Sequence, residues 1–586
     1  IIESTTTTVY CYDRLGRRSS KQLTVAGNTA TTRYGYTAGS RLASLTYPSG
    51  AQVSYSRNSN GQITAASLTP AGGGSAVSLV SNVSYQPFGP VSSYTLGSGQ
   101  TITRSFDANG QLSGVTSPAL NLQWGRDAAG NINTLSGANS ESYAYDPLQR
   151  LTGINDPTGK AIEAYTYSKT GDRLSKTGGL FATGAYSYAS GTHHLLSTGA
   201  AVRTYDAAGN TVTNQLGADQ YIYRYNARNR LETVNRDGQD VASYTYDANG
   251  QRVRKTATFP SAIDMRFGYD EASRLLTEQS AGGSRDYVWL GELPIAAIDN
   301  TGASSTVNYV HADGLGTPRA VTNATGTTLW QWSYAGTAFG EQAPTSASGY
   351  TFNLRFPGQY FDVESGISDN IHRGYDAATG RYVQSDPIGL DGGVSTYGYV
   401  GGSPYGNVDP LGLFGLTSVD AACMRDPQFC AELLGQISRS EGRIQSKLGD
   451  PCAEARGEIA ASLFDSLGKV AMVAPVAGGI VKGAAGKLAR FNGPKPRYHI
   501  NSAHIPGRPG FNWSKTRLPS DAESVFASAV PNSPTNPRAW FGKNADGQIY
   551  RYSIANDGTA HFSGIDEVGD GARNITKYAI DRLNGY

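Results

Sequence analysis

One short template recurs through the first half of this chain: an aromatic residue, Asp, two variable residues, Gly, one more variable residue, then an apolar one. It stands in Tyr12-Asp13 to Gly16-Arg17, in Phe106-Asp107 to Gly110-Gln111-Leu112 and in Tyr205-Asp206 to Gly209-Asn210. It recurs in Tyr246-Asp247 to Gly250-Gln251-Arg252-Val253 and, without the glycine, in Tyr269-Asp270 to Arg274-Leu275. Adjacent full copies, such as those at Tyr145 and Tyr167 or at Tyr225, Tyr246 and Tyr269, are 20–23 residues apart. A period of this size marks a repeat array whose units bury their apolar faces only against neighbours. Each unit reads as a β-hairpin. Alternation such as Tyr244-Thr245-Tyr246 is a strand signal. Asp folds its side chain onto its own downstream backbone, and Gly accepts a positive φ, so Asp-x-x-Gly turns the chain back. A lone hairpin is not stable in water, so the array has to stack. Only 16% of the 586 residues are charged, while Gly numbers 72 and Tyr 36. That balance suits a large β structure with many turns and excludes a helical or disordered chain. The length calls for two or more domains.

After the array comes Gly374-Tyr375-Asp376 to Gly380-Arg381-Tyr382, then Ser385-Asp386-Pro387-Ile388-Gly389-Leu390, then Asp409-Pro410-Leu411-Gly412-Leu413. Asp-Pro-x-Gly-Leu thus occurs twice, its aspartates 23 residues apart. One Asp-Pro is only a turn. Two invite a chemical reading, because crowded carboxylates push their pKa values apart, leaving one ionised to activate water and one protonated to polarise a carbonyl. Asp386 and Asp409 are the candidate pair. Arg373 and Arg381 are candidate partners that hold one carboxylate ionised or bind a developing oxyanion. Asp376, inside another turn of the repeat type, ranks below them.

These motifs resemble the core of Rhs/YD-repeat proteins, and the resemblance spans nearly all of residues 1–413. It implies a mainly β fold in which the hairpin array (1–340) spirals into a hollow shell or barrel. A core (341–413) would then act as an aspartyl autoprotease that cuts between Leu413 and Phe414 and frees a C-terminal toxin. The segment Tyr309 to Arg319 resembles the family's junction of shell and core, which makes His311 and Asp313 structural. The family also implies secretion, often through a type VI spike or adaptor, delivery into a target cell's cytoplasm, and a cognate immunity protein. Whether the cut pieces stay associated is left open, and the same hairpins also build non-enzymatic surface adhesins. The chain opens on Ile1 in mid-repeat, without an initiator Met or signal peptide, and reads as a piece of a longer protein.

Beyond Leu413 the composition changes. Residues 414–490 read as a helical, Gly/Ala-rich linker. Its apolar stretch 468–486 has only 12 residues between Lys469 and Lys482, short for a membrane span. Cys423, Cys430 and Cys452 fall here, and a Cys423–Cys430 bridge is one option. Residues 491–586 read as a small α+β domain, with a helix over 520–530 and strands around Trp540, Tyr550 and His561. Residues 490–551 carry nine Lys/Arg against three acids, a balance that favours a polyanionic partner. His499, His504 and His561 are candidate acid and base for metal-free RNA cleavage. Arg551, Lys515 and Arg517 are candidates to stabilise the phosphorane, and Trp513, Trp540 and Tyr550 to stack bases. The first expectation is therefore a ribonuclease toxin with no cofactor or metal and with RNA as its substrate. A DNase and an NAD-directed enzyme (ADP-ribosyltransferase or NAD hydrolase) remain as alternatives.

Overall fold

The computed structural model describes residues 2–417, apart from 4, 88, 138–139, 200, 337 and 348, and in the tail 522–531, 539–544, 548–554, 560–565, Ala579 and Leu583. The chain divides into two compact units, Ile1–Ala460 and Ala461–Tyr586. Cys423, Cys430, Cys452, His499, His504, Trp513, Lys515, Arg517 and the 468–486 stretch lie outside the described residues.

In the first unit the strands of the array pair antiparallel with their neighbours in sequence, with one break between Val202 and Thr204. One sheet of 20 strands runs from Ile2 to Val202, and one of 13 strands from Thr204 to Gln331. The turn chemistry explains the template residue by residue. In the repeat at Tyr246, the Gly250 amide donates to Asp247 O at 3.0 Å and the Asp247 amide to Gln251 O at 2.9 Å. Asp247 Oδ1 accepts the amides of Asn249 and Gln251. This is a type I turn closed by a left-handed residue, and the register slips at that point, between Thr245 and Tyr246. Gly250 has φ +76°; where the glycine is replaced, Asn229 (+56°) and Ser273 (+62°) take the same strained conformation. The tyrosine that precedes the turn has a second task in several repeats. Its hydroxyl donates to a backbone carbonyl one repeat earlier: Tyr225 to Thr211, Tyr246 to Leu231, Tyr188 to Arg173, Tyr85 to Ile63. Turn and staple together fix the spacing of successive hairpins.

The ribbon also returns onto itself. Lys21 Nζ donates to Tyr269 O (3.0 Å), the Tyr47 hydroxyl to Tyr287 O (2.8 Å), the Tyr309 hydroxyl to Ser78 O (3.1 Å) and Gln100 Nε2 to Gly326 O (3.4 Å). Both partners advance together along the chain, 248, 240, 231 and 226 residues apart. A ribbon that meets its own beginning in the same direction is wound as a spiral, which makes a shell wall and covers sheet edges that would otherwise be open. Strands in this overlap are covered on both faces: Leu293–Ile298 and Pro318–Thr322 are buried throughout.

After Gln331 the chain leaves the ladder and forms a hub. Its sheet orders Tyr360–Asp362, Ile367–Asn370, Arg373–Asp376 and Arg381–Tyr382 as an antiparallel meander. Ile367 and Val383 pack into the apolar cluster of wall residues Tyr221, Tyr223, Val234 and Tyr244. Buried ion pairs join hub to wall: Asp362 with Arg252 and Lys255, and Asp376 with Arg203 at 2.7 Å. Arg319 and Asp313 pair at 2.8 Å, and buried His311 lies between Ser117 and Thr322, its pKa pushed down to about 4 by burial. Both therefore sit in packing contacts at the junction of wall and hub.

The C-terminal unit is α+β. A helix, Ala522–Ser528, lies on an antiparallel sheet of Val530–Pro531, Ala539–Lys543, Ile549–Ile554 and Ala560–Ile565. Phe526, Trp540, Tyr550 and Tyr552 form its core. Gly542 lets the helix approach: a Cβ there would stand 2.6 Å from Val525 O.

Candidate active site

The two Asp-Pro-x-Gly-Leu segments fold into matching turns that face each other across Arg373. In the first, Asp386 Oδ1 accepts the Ile388 amide at 3.0 Å, and Gly389 takes φ +64°. In the second, Gly412 takes φ +69°, and Asp409 Oδ1 accepts the amides of Leu413 (2.9 Å) and Phe414 (3.2 Å). Asp409 thus grips the nitrogen of the Leu413–Phe414 peptide bond. Asp386 reaches toward the other end of that bond: Asp386 Oδ2 and the Leu413 carbonyl oxygen both lie within 2.6 Å of where a Cβ on Gly392 would stand. Both aspartates, Leu413 and Phe414 are buried.

Arg373 is the hub of the cluster. Its Nη2 lies 2.8 Å from Asp386 Oδ2 and 3.4 Å from Asp409 Oδ2. Its Nε donates to Gly412 O at 2.6 Å and its Nη1 to Thr396 O at 3.0 Å, and the guanidinium stacks 3.7 Å from the centre of the Tyr382 ring. Two residues to which the motif reading gave no role complete the site. The Tyr382 hydroxyl donates to Asp409 Oδ2 at 2.7 Å. Asn370 Nδ2 donates to the Tyr382 oxygen and to Asp409 O. Tyr382 was visible in the sequence as the last residue of a Gly-Arg-Tyr motif, but nothing there assigned it a carboxylate. Asn370 and Arg373 flank a tight turn in which Ile371 takes φ +58°. A β-branched residue rarely adopts that conformation, and such strain, worth about 1–3 kcal/mol, clusters at functional sites.

The electrostatics separate the two acids. Burial pushes the Asp386 carboxyl up to about 7, against the opposing pull of Arg373 and one backbone amide. Burial also raises Asp409, but Arg373, the Tyr382 hydroxyl and two backbone amides all draw it back toward the ionised form. Asp386 is the better proton holder and Asp409 the better-supported anion.

Arg381 does not join this cluster. Its Nη2 donates to His193 O at 2.6 Å and lies 3.9 Å from Asp172, and its guanidinium covers Tyr188 and Tyr397. The two arginines are separated in space because they lie on different strands of the hub sheet and turn to different neighbours. Asp376 is likewise spoken for, by Arg203 and the Thr379 hydroxyl. In the C-terminal unit His561 lies on a strand opposite Ser553, and half-buried Arg551 lies opposite Phe541 and Gly564. Trp540 and Tyr550 are not available to stack bases: they are 5% and 3% exposed, because a small domain spends its large aromatics on its core.

A self-wound meander of Tyr-Asp turns around a hub with paired carboxylates defines a YD-repeat shell protein. Residues 131–392 match the Teneurin YD-shell family. The chain is 29% identical over 367 residues to the double-stranded DNA deaminase toxin A of Burkholderia cenocepacia, covering 57% of this chain and 25% of that one. It is 30% identical over 383 residues to the probable deoxyribonuclease RhsB of Dickeya dadantii, covering 60% and 25%. The Tc holotoxin pore of Photorhabdus luminescens shares the fold, with a TM-score of 0.59 at 16% identity over 71% of this chain and 24% of that one. The repeat array and hub of the chain are similar to the corresponding part of the Rhs/YD-repeat polymorphic toxins. The chain spans about a quarter of the length of these relatives.

Proposed function

We propose that the first unit is a self-cleaving shell that holds the C-terminal unit and frees it by cutting Leu413–Phe414. The observation that carries this reading is the placement of two buried carboxylates at opposite ends of one peptide bond. Protonated Asp386 hydrogen-bonds the Leu413 carbonyl oxygen. Ionised Asp409 takes a proton from a water molecule, whose oxygen bonds to the Leu413 carbon. The tetrahedral oxyanion is held by the Asp386 proton and Arg373. The C–N bond then breaks, and the proton carried by Asp409 passes to the Phe414 nitrogen, which leaves as an amine while Leu413 becomes a carboxylic acid. Water is consumed and both aspartates return to their starting forms. The new Phe414 ammonium is left beside Asp409. The strand Leu416–Thr417 pairs with Asn407–Val408, a clasp of two residues that tethers the cut pieces only weakly.

The freed unit acts on nucleic acid in this reading. The excess of six positive charges over residues 490–551 supports a polyanionic substrate. A ribonuclease using His561, His499, His504 and Arg551 is the first assignment. A DNA-directed enzyme is the second, favoured by the deaminase and deoxyribonuclease named among the relatives. Because those two chemistries accompany similar identities, the shared part of the chain does not carry the chemistry of the toxin. Export by a type VI spike or adaptor, arrival in the target cytoplasm and a cognate immunity protein belong to the same proposal.

Two measurements test it. On a denaturing gel the folded chain should run as pieces of 413 and 173 residues, and Asp409→Asn as one full-length band. A wild-type chain that stays whole while folded removes the autoprotease. The smaller piece is then incubated with total bacterial RNA, with DNA and with NAD, with and without EDTA. RNA cleavage that survives EDTA supports the first assignment, and intact RNA with altered DNA supports the second.

A further inference from the structure

The proposed cut requires the Asp386 carboxyl and the Leu413 carbonyl to share one small space, and a third segment closes that space. The chain runs from Asp386 through a 3-10 turn, Gly389–Gly392, and returns through Thr396, whose carbonyl accepts the amide of Asp386 and Nη1 of Arg373. The Ser395 hydroxyl ties the end of this loop to Asp172 of the wall at 2.9 Å. The loop is therefore anchored at both ends, and its tip faces the site.

At that tip stand two glycines whose backbones make opposite demands. Gly393 has φ +134°, which disfavours any side chain, yet a Cβ there would meet nothing within 4 Å. The φ of Gly392 lies outside the left-handed region, so its backbone tolerates a side chain. Its surroundings do not. A Cβ would overlap Asp386 Oδ2, stand 2.6 Å from Leu413 O and lie 2.7 Å from Asp386 Cγ. The glycine at 393 answers to backbone geometry, and the glycine at 392 to the groups that meet there.

We propose that Gly392 is a positioning residue for self-cleavage: its missing side chain is what allows the Asp386 carboxyl to reach the Leu413 carbonyl oxygen. The inference rests on the self-cleaving reading and adds a requirement to it. The first Asp-Pro-x-Gly-Leu turn contributes a carboxylate and also the gap that carboxylate works in. A methyl group at 392 has two ways to fit: it pushes the Asp386 side chain aside, or it lifts the Leu413 carbonyl. Either movement separates the proton holder from the oxygen it polarises. A displacement of about 1 Å between reacting groups costs on the order of 100-fold in rate. Gly392 is half-buried and Gly393 exposed.

The test compares full-length wild type, Gly392→Ala and Gly393→Ala, each made by cell-free translation and followed by denaturing gel over time. Thermal unfolding and near-UV circular dichroism report whether each variant keeps its fold. Gly392→Ala is expected to fold and to cleave at least ~100-fold more slowly than wild type. Its remaining activity should follow a different pH dependence, because the group whose proton is used has moved. Gly393→Ala, which strains the loop without crowding the site, is expected to cleave within a few-fold of wild type. Wild-type rates in Gly392→Ala would overturn the inference. So would equal slowing in both variants, which would point to loop strain. A wild-type chain that never cleaves fails earlier, at the autoprotease itself, and so is distinguishable from failure of this step.

Discussion

The pH dependence of the proposed cut is the sharpest consequence of the site. Burial raises Asp386 from an ordinary 3.8 to about 7, and the proposed step uses its protonated form. For an acid with a raised pKa the proton is fully present below that value and is lost as pH rises through it. The rate should therefore fall as pH rises through about 7. For a single titration near 7, the protonated fraction is roughly 90% at pH 6 and roughly 1% at pH 9, a loss of about 90-fold. Asp409 sets the opposite limb: it acts ionised, so the rate falls at low pH as it takes up a proton. The slow alkaline range makes the experiment practical. Full-length chain made by cell-free translation near pH 8.5 is jumped into buffers between pH 5 and 9, and appearance of the 413-residue piece is timed. Asp386→Asn should be inactive at every pH. A wild-type rate that climbs through pH 7, or that ignores pH between 6 and 9, refutes Asp386 as the proton holder and reverses the assignment of the pair.

Three further substitutions probe the residues around it. Tyr382→Phe removes the hydroxyl that steadies the Asp409 anion and should slow cleavage by about 10-fold while lowering the melting temperature modestly, since one buried hydrogen bond to a charged group is worth ~1.5–3 kcal/mol. Arg203→Ala leaves Asp376 buried without its cation and should cost about 3–5 kcal/mol, read as a lower melting temperature that Asp376→Asn in the same chain partly restores. Tyr246→Phe deletes one inter-repeat staple worth ~1 kcal/mol, which should speed amide exchange in the strand Leu231–Arg236 by about 5-fold and leave distant repeats unchanged.

The hairpin array was legible because its information is local. Asp-x-x-Gly turns close within five residues, and the Tyr staple reaches back only one repeat, so each copy of the template carries its own geometry. The α+β reading of the tail rested on the same kind of signal: apolar runs around Trp540, Tyr550 and His561, separated by Asp-Gly pairs. What those aromatics do was not local. Whether Trp540 faces solvent or core depends on a helix that meets the sheet at Gly542, and nothing in the strand announces it.

The candidate site divides in the same way. The doubled Asp-Pro-x-Gly-Leu motif by itself singled out the candidate carboxylates and determined that each begins a turn, because Pro and Gly constrain the backbone wherever they stand. Only the tertiary structure decided which arginine serves them. Arg373 and Arg381 stand eight residues apart in one motif, yet Arg373 spans Asp386 and Asp409 while Arg381 goes to His193 and Asp172 on the wall. The same holds for Tyr382, Asn370 and Gly392, each of which meets a partner more than 20 residues away. Backbone turns are written in neighbouring residues, whereas the meeting of two carboxylates across one peptide bond is a product of how the wall, the hub and the cut strand pack. That is also why both pKa shifts, which are caused chiefly by burial, belong to the folded shell and to no motif in the chain.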